Sequence, residues 1–98
     1  MAEVRWTSEA QKWLREIHDF IAQDNPRAAV GVVNGILAKG LLLSDFPKAG
    51  HLLREESDGE IRVLHYGHYR IAYLTRPTNG IDVLGIFHDA LDLERYLP

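Results

Sequence analysis

The sequence predicts an α+β fold: an N-terminal strand and an antiparallel helical hairpin packed on an antiparallel sheet, in the order β-α-α-β-β-β with a short C-terminal helix or tail. Three observations point there. Apolar residues recur at helical spacing through the first half of the chain. An Asn25-Pro26 corner divides that half in two, and runs of alternating residues separated by turn signals fill the second half. At 98 residues the chain is sized for a single domain, read as 1–98 with no linker, repeat or low-complexity tract.

Glu3-Val4-Arg5-Trp6 alternates polar and apolar side chains, the mark of a short half-buried strand. Thr7 and Ser8 follow as cap formers. Ser8 with Gln11 has capping-box spacing, and Thr7 serves equally well as a cap. Ala10, Trp13, Leu14, Ile17, Phe20 and Ile21 then share one side, with Lys12, Arg15, Glu16 and Asp19 on the other. That pattern is an amphipathic helix over about residues 8–24. Asp24-Asn25-Pro26 ends it, because proline disfavours helical backbone in the residue before it yet suits the first turn of a new helix, which asparagine caps.

The second helix, about 26–45, places Ala29, Val33, Ile36, Leu37, Gly40 and Leu41 on one broad face predicted to pack inward. The opposite face carries Gly31, Gly35, Ala38 and Leu42 rather than charges. Glycine inside a helix costs about 0.8–1 kcal/mol relative to alanine. Such a smooth back either packs closely within the domain or receives a partner helix.

Phe46 to Gly50 reads as a turn, His51–Arg54 as a short strand and Glu55–Gly59 as a polar loop. Strands are predicted at Ile61–Tyr66, Tyr69–Arg76 and Ile81–His88. Gly67-His68 joins the first two with glycine first, as a type II′ turn prefers, and Asn79-Gly80 closes the second hairpin. Asp89–Leu97 is a short helix or an irregular tail.

Composition removes several function classes. The absence of cysteine excludes a disulfide framework, thiolate zinc sites and thiol catalysis. No run approaches the ~18 apolar residues of a membrane span, and Glu3, Arg5 and Glu9 interrupt any signal peptide, so no membrane partner is expected. The formal charge is −3, with six basic and six acidic residues in 1–50 and five against eight in 51–98. A chain built to coat nucleic acid is normally basic, so any such contact here is a local patch without sequence-specific readout. Gly31, Gly35 and Gly40 lie within a helix rather than after a strand, which excludes a phosphate loop. His65 and His68 stand three apart across a turn and His88 precedes Asp89, but no helical His-x-x-x-His pair exists. No metal site and no cofactor are therefore expected.

Strand parity groups Arg62 with Leu64, Arg70 with Ala72 and Leu74, and His88 with Leu84 and Ile86. If register joins these sets, Arg62, Arg70 and His88 stand together at a sheet margin. An arginine in an otherwise apolar strand is costly to bury unpaired. It either pairs with Glu60, Asp82 or Asp89, at little gain, or belongs to an anion-recognising or protein-docking patch.

Read together, Val4-Arg5-Trp6-Thr7 with Ala10, the Asn25-Pro26 corner with Ala28-Ala29, and Pro47 to Gly50 form an ordered set. Ile61-Arg62-Val63-Leu64, Tyr69-Arg70-Ile71-Ala72-Tyr73, Ile86-Phe87-His88 and Asp92 continue it. In that order and spacing the chain resembles the ParE branch of the RelE/ParE toxins of bacterial toxin–antitoxin modules, over nearly its whole length. The resemblance implies a small cytoplasmic toxin, associated with plasmid stabilisation and neutralised by a ParD-like antitoxin in a hetero-oligomer. ParE-like members poison DNA gyrase by binding rather than by catalysis, and RelE-like relatives cut messenger RNA in the ribosome. Under the second activity Arg62, Arg70 and His88 are the catalytic candidates, supplying cationic charge and an acid. Gyrase poisoning is favoured because no lysine lies near that sheet, Asp89 and Asp92 add negative charge, and the isoelectric point is about 5.9. Leu91 departs from the family's frequent arginine before the aspartate, which bears on toxicity. A non-toxic binding module of the same fold is the remaining alternative. The antitoxin is expected to lay a helix near Gly31, Gly35, Ala38 and Leu42. An extended stretch is expected near Arg62, Arg70 and Tyr73.

Overall fold

A computed structural model, describing residues 2–78 and 80–98, contains β1 (Glu3–Trp6), α1 (Ser8–Ala22), α2 (Pro26–Leu41) and β2 (His51–Glu56). It continues with β3 (Gly59–Tyr66), β4 (Tyr69–Thr75) and β5 (Gly80–His88). One 3-10 turn extends α2 at Leu42–Ser44, and another, Leu93–Arg95, is the only helical geometry among the described residues of the tail. The sheet is mixed rather than antiparallel throughout: its order is β1-β5-β4-β3-β2, and β1 runs parallel to β5. The expected polar loop at Glu55–Gly59 shrinks to Ser57-Asp58, because β2 and β3 pair as far as Glu56 and Gly59. Gly59 takes φ +152°, and a Cβ there would stand 1.8 Å from the Thr75 carbonyl oxygen. Only glycine fits. The Asn79 half of the predicted Asn-Gly turn lies outside the described residues.

Local chemistry sets the helix ends. Thr7, not Ser8, caps α1: its hydroxyl accepts the Ala10 amide at 3.1 Å and donates to the Val83 carbonyl at 2.7 Å, tying cap to sheet. Gln11 donates instead to the Trp6 carbonyl at 2.9 Å. Asn25 accepts the Ala28 amide at 3.0 Å, with Pro26 in the first turn of α2 as its fixed φ favours.

The helical hairpin covers one sheet face. Ala10 and Ile36 meet Ile71, Val83 and Ile86, while Leu43 meets Tyr73 and Ile81. The inward stripe of α2 is Ala29, Ile36, Gly40 and, in the following turn, Leu43, so the predicted facing is rotated. Leu37 and Leu41, expected inside, are 39% and 69% exposed. Gly35, expected on the smooth back, instead receives the Tyr66 ring: a Cβ would lie 1.8 Å from the Tyr66 hydroxyl. Gly40 receives Trp6 in the same way. Bulky rings from the sheet therefore need glycines beneath them, and this close approach turns the helix. Pro26–Ser44 also corrects the expectation of no membrane-length run. Its 19 residues are long and apolar enough to cross a membrane by length and composition alone. In the fold this stretch is the outer layer over the sheet.

The second sheet face is covered by the chain's own tail. Leu93, Leu91 and Leu97 pack on Val63, Ala72 and Phe87, with Leu53 beside them. At one end of the sheet Asp82 is held by Arg5 at 3.2 Å and Arg76 at 2.7 Å, and Arg76 also reaches Asp58 at 3.2 Å. Burial alone would raise the Asp82 pKa. The hydrogen bonds and charge of Arg76, followed by those of Arg5, outweigh it and hold the carboxyl below its ordinary value.

A group ionised more easily in the folded state contributes stability above its unfolded pKa and loses it as pH falls through the folded value. Asp82→Asn is expected to cost about 1–2 kcal/mol near neutral pH and to flatten the acid limb of the stability curve, read by urea titration at several pH values. A glycine pair gives a second check by thermal denaturation. Gly31→Ala, whose Cβ would meet nothing within 4 Å, should stabilise by about 0.5–1 kcal/mol, whereas Gly59→Ala should cost at least about 2 kcal/mol.

Candidate functional site

The two-residue turn at Gly67-His68 fixes what the sheet presents. Gly67 takes φ +56°, as the first turn position requires, and Tyr66 pairs directly with Tyr69. Moving away from the turn, back along β3 and forward along β4, His65 faces Arg70, Leu64 faces Ile71, and Arg62 faces Tyr73. Directly opposed residues share a face, so Arg62 and Arg70 lie on opposite faces of the sheet. The expectation of an Arg62, Arg70 and His88 cluster is overturned. A bulge at Leu84 shifts β5 as well: Tyr73 pairs with Val83, Ala72 with Gly85, and His88 with Tyr69. His88 therefore stands on the helix side, away from the Arg70 guanidinium.

Each arginine holds part of its own chain. On the helix side, Arg62 Nη1 donates to the Gly50 carbonyl at 2.8 Å, and Nε donates to Glu60 at 3.0 Å. Tyr73, fully buried, accepts the Gly50 amide at 2.9 Å and donates to the Pro47 carbonyl at 2.9 Å. Burial pushes the Tyr73 pKa up, offset in part by the Gly50 amide and the Arg62 charge. Arg62 and Tyr73 thus clamp the loop at 47–50. Of the three pairings proposed for the arginines, Arg62 takes Glu60, Arg70 takes Asp89, and Asp82 is held by Arg5 and Arg76 instead.

On the tail side, Arg70 Nη2 donates to the carbonyls of His88, Asp89 and Leu91, the last a short contact, and its Nε lies 3.7 Å from the Asp89 carboxylate. Arg54, unremarked in the sequence, donates to the Pro98 carbonyl and pairs with Glu56 at 3.5 Å. The Nε atoms of Arg54 and Arg70 are both buried without a hydrogen bond. The arginine signal in these strands thus marks loop and tail anchoring. His88 accepts the Ala90 amide through Nδ1 at 3.1 Å and stacks near His68, with ring centroids 6.3 Å apart. No group of three metal-ligating side chains converges among the described residues.

The outward surface of the hairpin carries a row of exposed apolar side chains. Val30, Leu37 and Leu41 recur at helical spacing and are 51%, 39% and 69% exposed. Leu42 and Phe46 extend them at 46% and 62%. Beside them a groove of about 300 Å³ runs between the helices, lined by Gln11, Leu14, Arg15, His18 and Val33. Residues 26–44 contain no carboxylate, while Arg27 and Lys39 supply positive charge. Of the residues predicted for a partner helix, Gly31, Ala38 and Leu42 are exposed here. Gly35 faces the sheet, and Arg62, Arg70 and Tyr73 are engaged internally. The signal that finds the surface is the i, i+7, i+11 spacing of Val30, Leu37 and Leu41.

Comparison with known proteins agrees with this fold. The family model described as "ParE toxin of type II toxin-antitoxin system, parDE" matches residues 4–93. "Putative toxin Y4kP" of Sinorhizobium fredii is 34% identical over 85 residues, covering 87% of this chain and 85% of that protein. Among solved structures, the chromosomal ParDE system of P. aeruginosa superposes with a TM-score of 0.68 at 22% identity, covering 90% of this chain and 96% of that one. The RelBE2 toxin–antitoxin complex of Mycobacterium tuberculosis superposes with a TM-score of 0.60 at 26% identity, covering 89% and 96%.

Two hydroxyl and guanidinium anchors should separate in a hydrogen-exchange experiment. Tyr73→Phe leaves the Gly50 amide and Pro47 carbonyl short of a partner, so it should cost about 1–3 kcal/mol and speed exchange at 46–50. Arg70→Ala should speed exchange at 89–97 and leave 46–50 protected.

Proposed function

The chain belongs to the ParE toxin family of type II toxin–antitoxin systems, and from that premise we propose that it is neutralised by a cognate antitoxin on the outward face of its helical hairpin and, when free, acts by binding DNA gyrase. The observation that carries the binding reading is the division of labour among the arginines. Nuclease chemistry needs a base, an acid and cationic groups converging on one phosphate. Arg62 and Arg70 sit on opposite faces and are spent on the chain's own loop and tail. A poison that works by shape and contact needs no such convergence, and it acts in the cytoplasm where gyrase is found.

The antitoxin reading draws on the hairpin. An apolar stripe of Val30, Leu37 and Leu41, next to Arg15, Arg27 and Lys39, suits an amphipathic helix whose flanks are acidic. Burying three such side chains at 25–30 cal/mol per Å² offers several kcal/mol of association energy before ordering costs.

The test is expression of the chain in bacteria with and without the gene beside it, together with a gyrase cleavage assay on purified protein. Growth arrest with filamentation, linear DNA trapped by gyrase and intact transcripts supports the proposal; cleaved ribosome-bound transcripts identify a RelE-type nuclease instead. Leu37→Glu with Leu41→Glu should weaken the antitoxin complex by at least about a hundredfold, measured by calorimetry, without altering the melting temperature.

A further inference from the structure

We infer that the domain carries a second protein-docking surface, on the flank of α1 turned away from α2, shaped for a partner segment that offers an apolar anchor beside a lysine or arginine. The surface is a groove of about 390 Å³ lined by Trp13, Glu16, Ile17, Phe20, Tyr69 and His88. Its position follows from the helical period. Trp13, Glu16, Ile17 and Phe20 are three or four residues apart and share one side of α1, whereas Leu14, Arg15 and His18 line the hairpin groove on the other.

Phe20 is 73% exposed, the largest exposure of any large hydrophobic side chain among the described residues. It rims a hollow whose floor is already fixed. Trp13 is held edge-on against Phe87 at 4.8 Å and against Tyr96 at 5.4 Å, and Tyr69 is held edge-on by His88 at 5.7 Å. A preformed apolar cleft bordered by rigid aromatic rings takes an anchor side chain with little ordering cost.

Charge selects the occupant. Glu16 lines the groove, and Glu9 and Lys12 share the adjoining hollow with it. None of the three forms an ion pair among the described residues. Arg95 stands beside Glu9 in the next hollow, so the charge that belongs to the groove itself is Glu16, the one carboxylate in its lining, opposite in sign to Arg15, Arg27 and Lys39 of the hairpin face. His88 adds a donor: because Nδ1 accepts the Ala90 amide, its neutral ring carries the proton on Nε2. A cation beside the anchor meets Glu16 and the faces of Phe20 and Tyr69. A nucleic-acid phosphate would meet an unpaired carboxylate, and a second copy presenting the same groove would set Glu16 against Glu16. The two flanks of α1 therefore suit partners of opposite charge, and this inference stands apart from the antitoxin reading.

The test uses two blocked hexapeptides, one alternating leucine with arginine and one alternating leucine with glutamate, titrated into the isotopically labelled chain and followed by NMR. The basic peptide should shift the Trp13 indole and the rings of Phe20 and Tyr69, and the acidic peptide should leave them in place. Glu16→Lys should weaken the basic peptide about fivefold and Phe20→Ser about tenfold, with the fold intact because both side chains are exposed. Shifts that fall elsewhere, equal response to both peptides, variants that bind as the parent does, or concentration-dependent self-association blocked by Phe20→Ser would each overturn the proposal.

Discussion

What each face of the sheet carries, and so which arginines are spent inside the domain, depends on the register of one hairpin. The two-residue turn at Gly67-His68 pairs Tyr66 with Tyr69, and from there each step back along β3 is a step forward along β4. A slip of a single residue would exchange the two sheet faces, because side chains alternate with a period of two. The register is held from both sides. Tyr66 fits over Gly35 of α2, and Val63 and Ala72 lie under the tail with Phe87 and Leu93. Changing it would place Arg62 in the tail cluster and Arg70 under the helices, each buried without its carbonyl partners.

The arginines of the sheet are used at home. Arg62 and Tyr73 fasten the loop between α2 and β2, Arg70 and Arg54 fasten the tail, and Arg5 with Arg76 fastens the end of β5 through Asp82. A domain of this size buries a modest core, and these polar anchors extend it over segments with little regular structure. With the sheet committed inward on both faces, most of the exposed large apolar side chains lie on the helices. α2 exposes an apolar stripe without carboxylates, and the far flank of α1 exposes an aromatic groove with them.

Much of this was legible in the residues. Period and caps located both helices, and the Asn25-Pro26 corner set the hairpin between them. The facing of α2 was legible in part: Ala29, Ile36 and Gly40 turn inward as expected while Leu37 and Leu41 turn out, since a helix apolar nearly all round has no polar stripe to orient it, and what decides its rotation is which rings the glycines admit. Gly35 takes Tyr66 and Gly40 takes Trp6, contacts made across long sequence separation. The sheet faces failed for a different reason. Parity groups residues within a strand but says nothing about which groups meet. The predicted two-residue turn already required that even-numbered β3 residues oppose odd-numbered β4 residues, which separates Arg62 from Arg70. The bulge at Leu84 had no signal of its own, and it sets Val83 with Ile86 on the helix side.

The most direct probe of the division between inward-facing arginines and outward-facing helices is the arginine Nε–Hε NMR spectrum, recorded with and without a single-stranded RNA fragment. Slowly exchanging Arg62 and Arg70 resonances that the RNA leaves in place, beside rapidly exchanging Arg15 and Arg27, are the predicted result. Joint displacement of Arg62 and Arg70 by the RNA would contradict it, since it would require the two guanidinium groups to meet one phosphate from the same face.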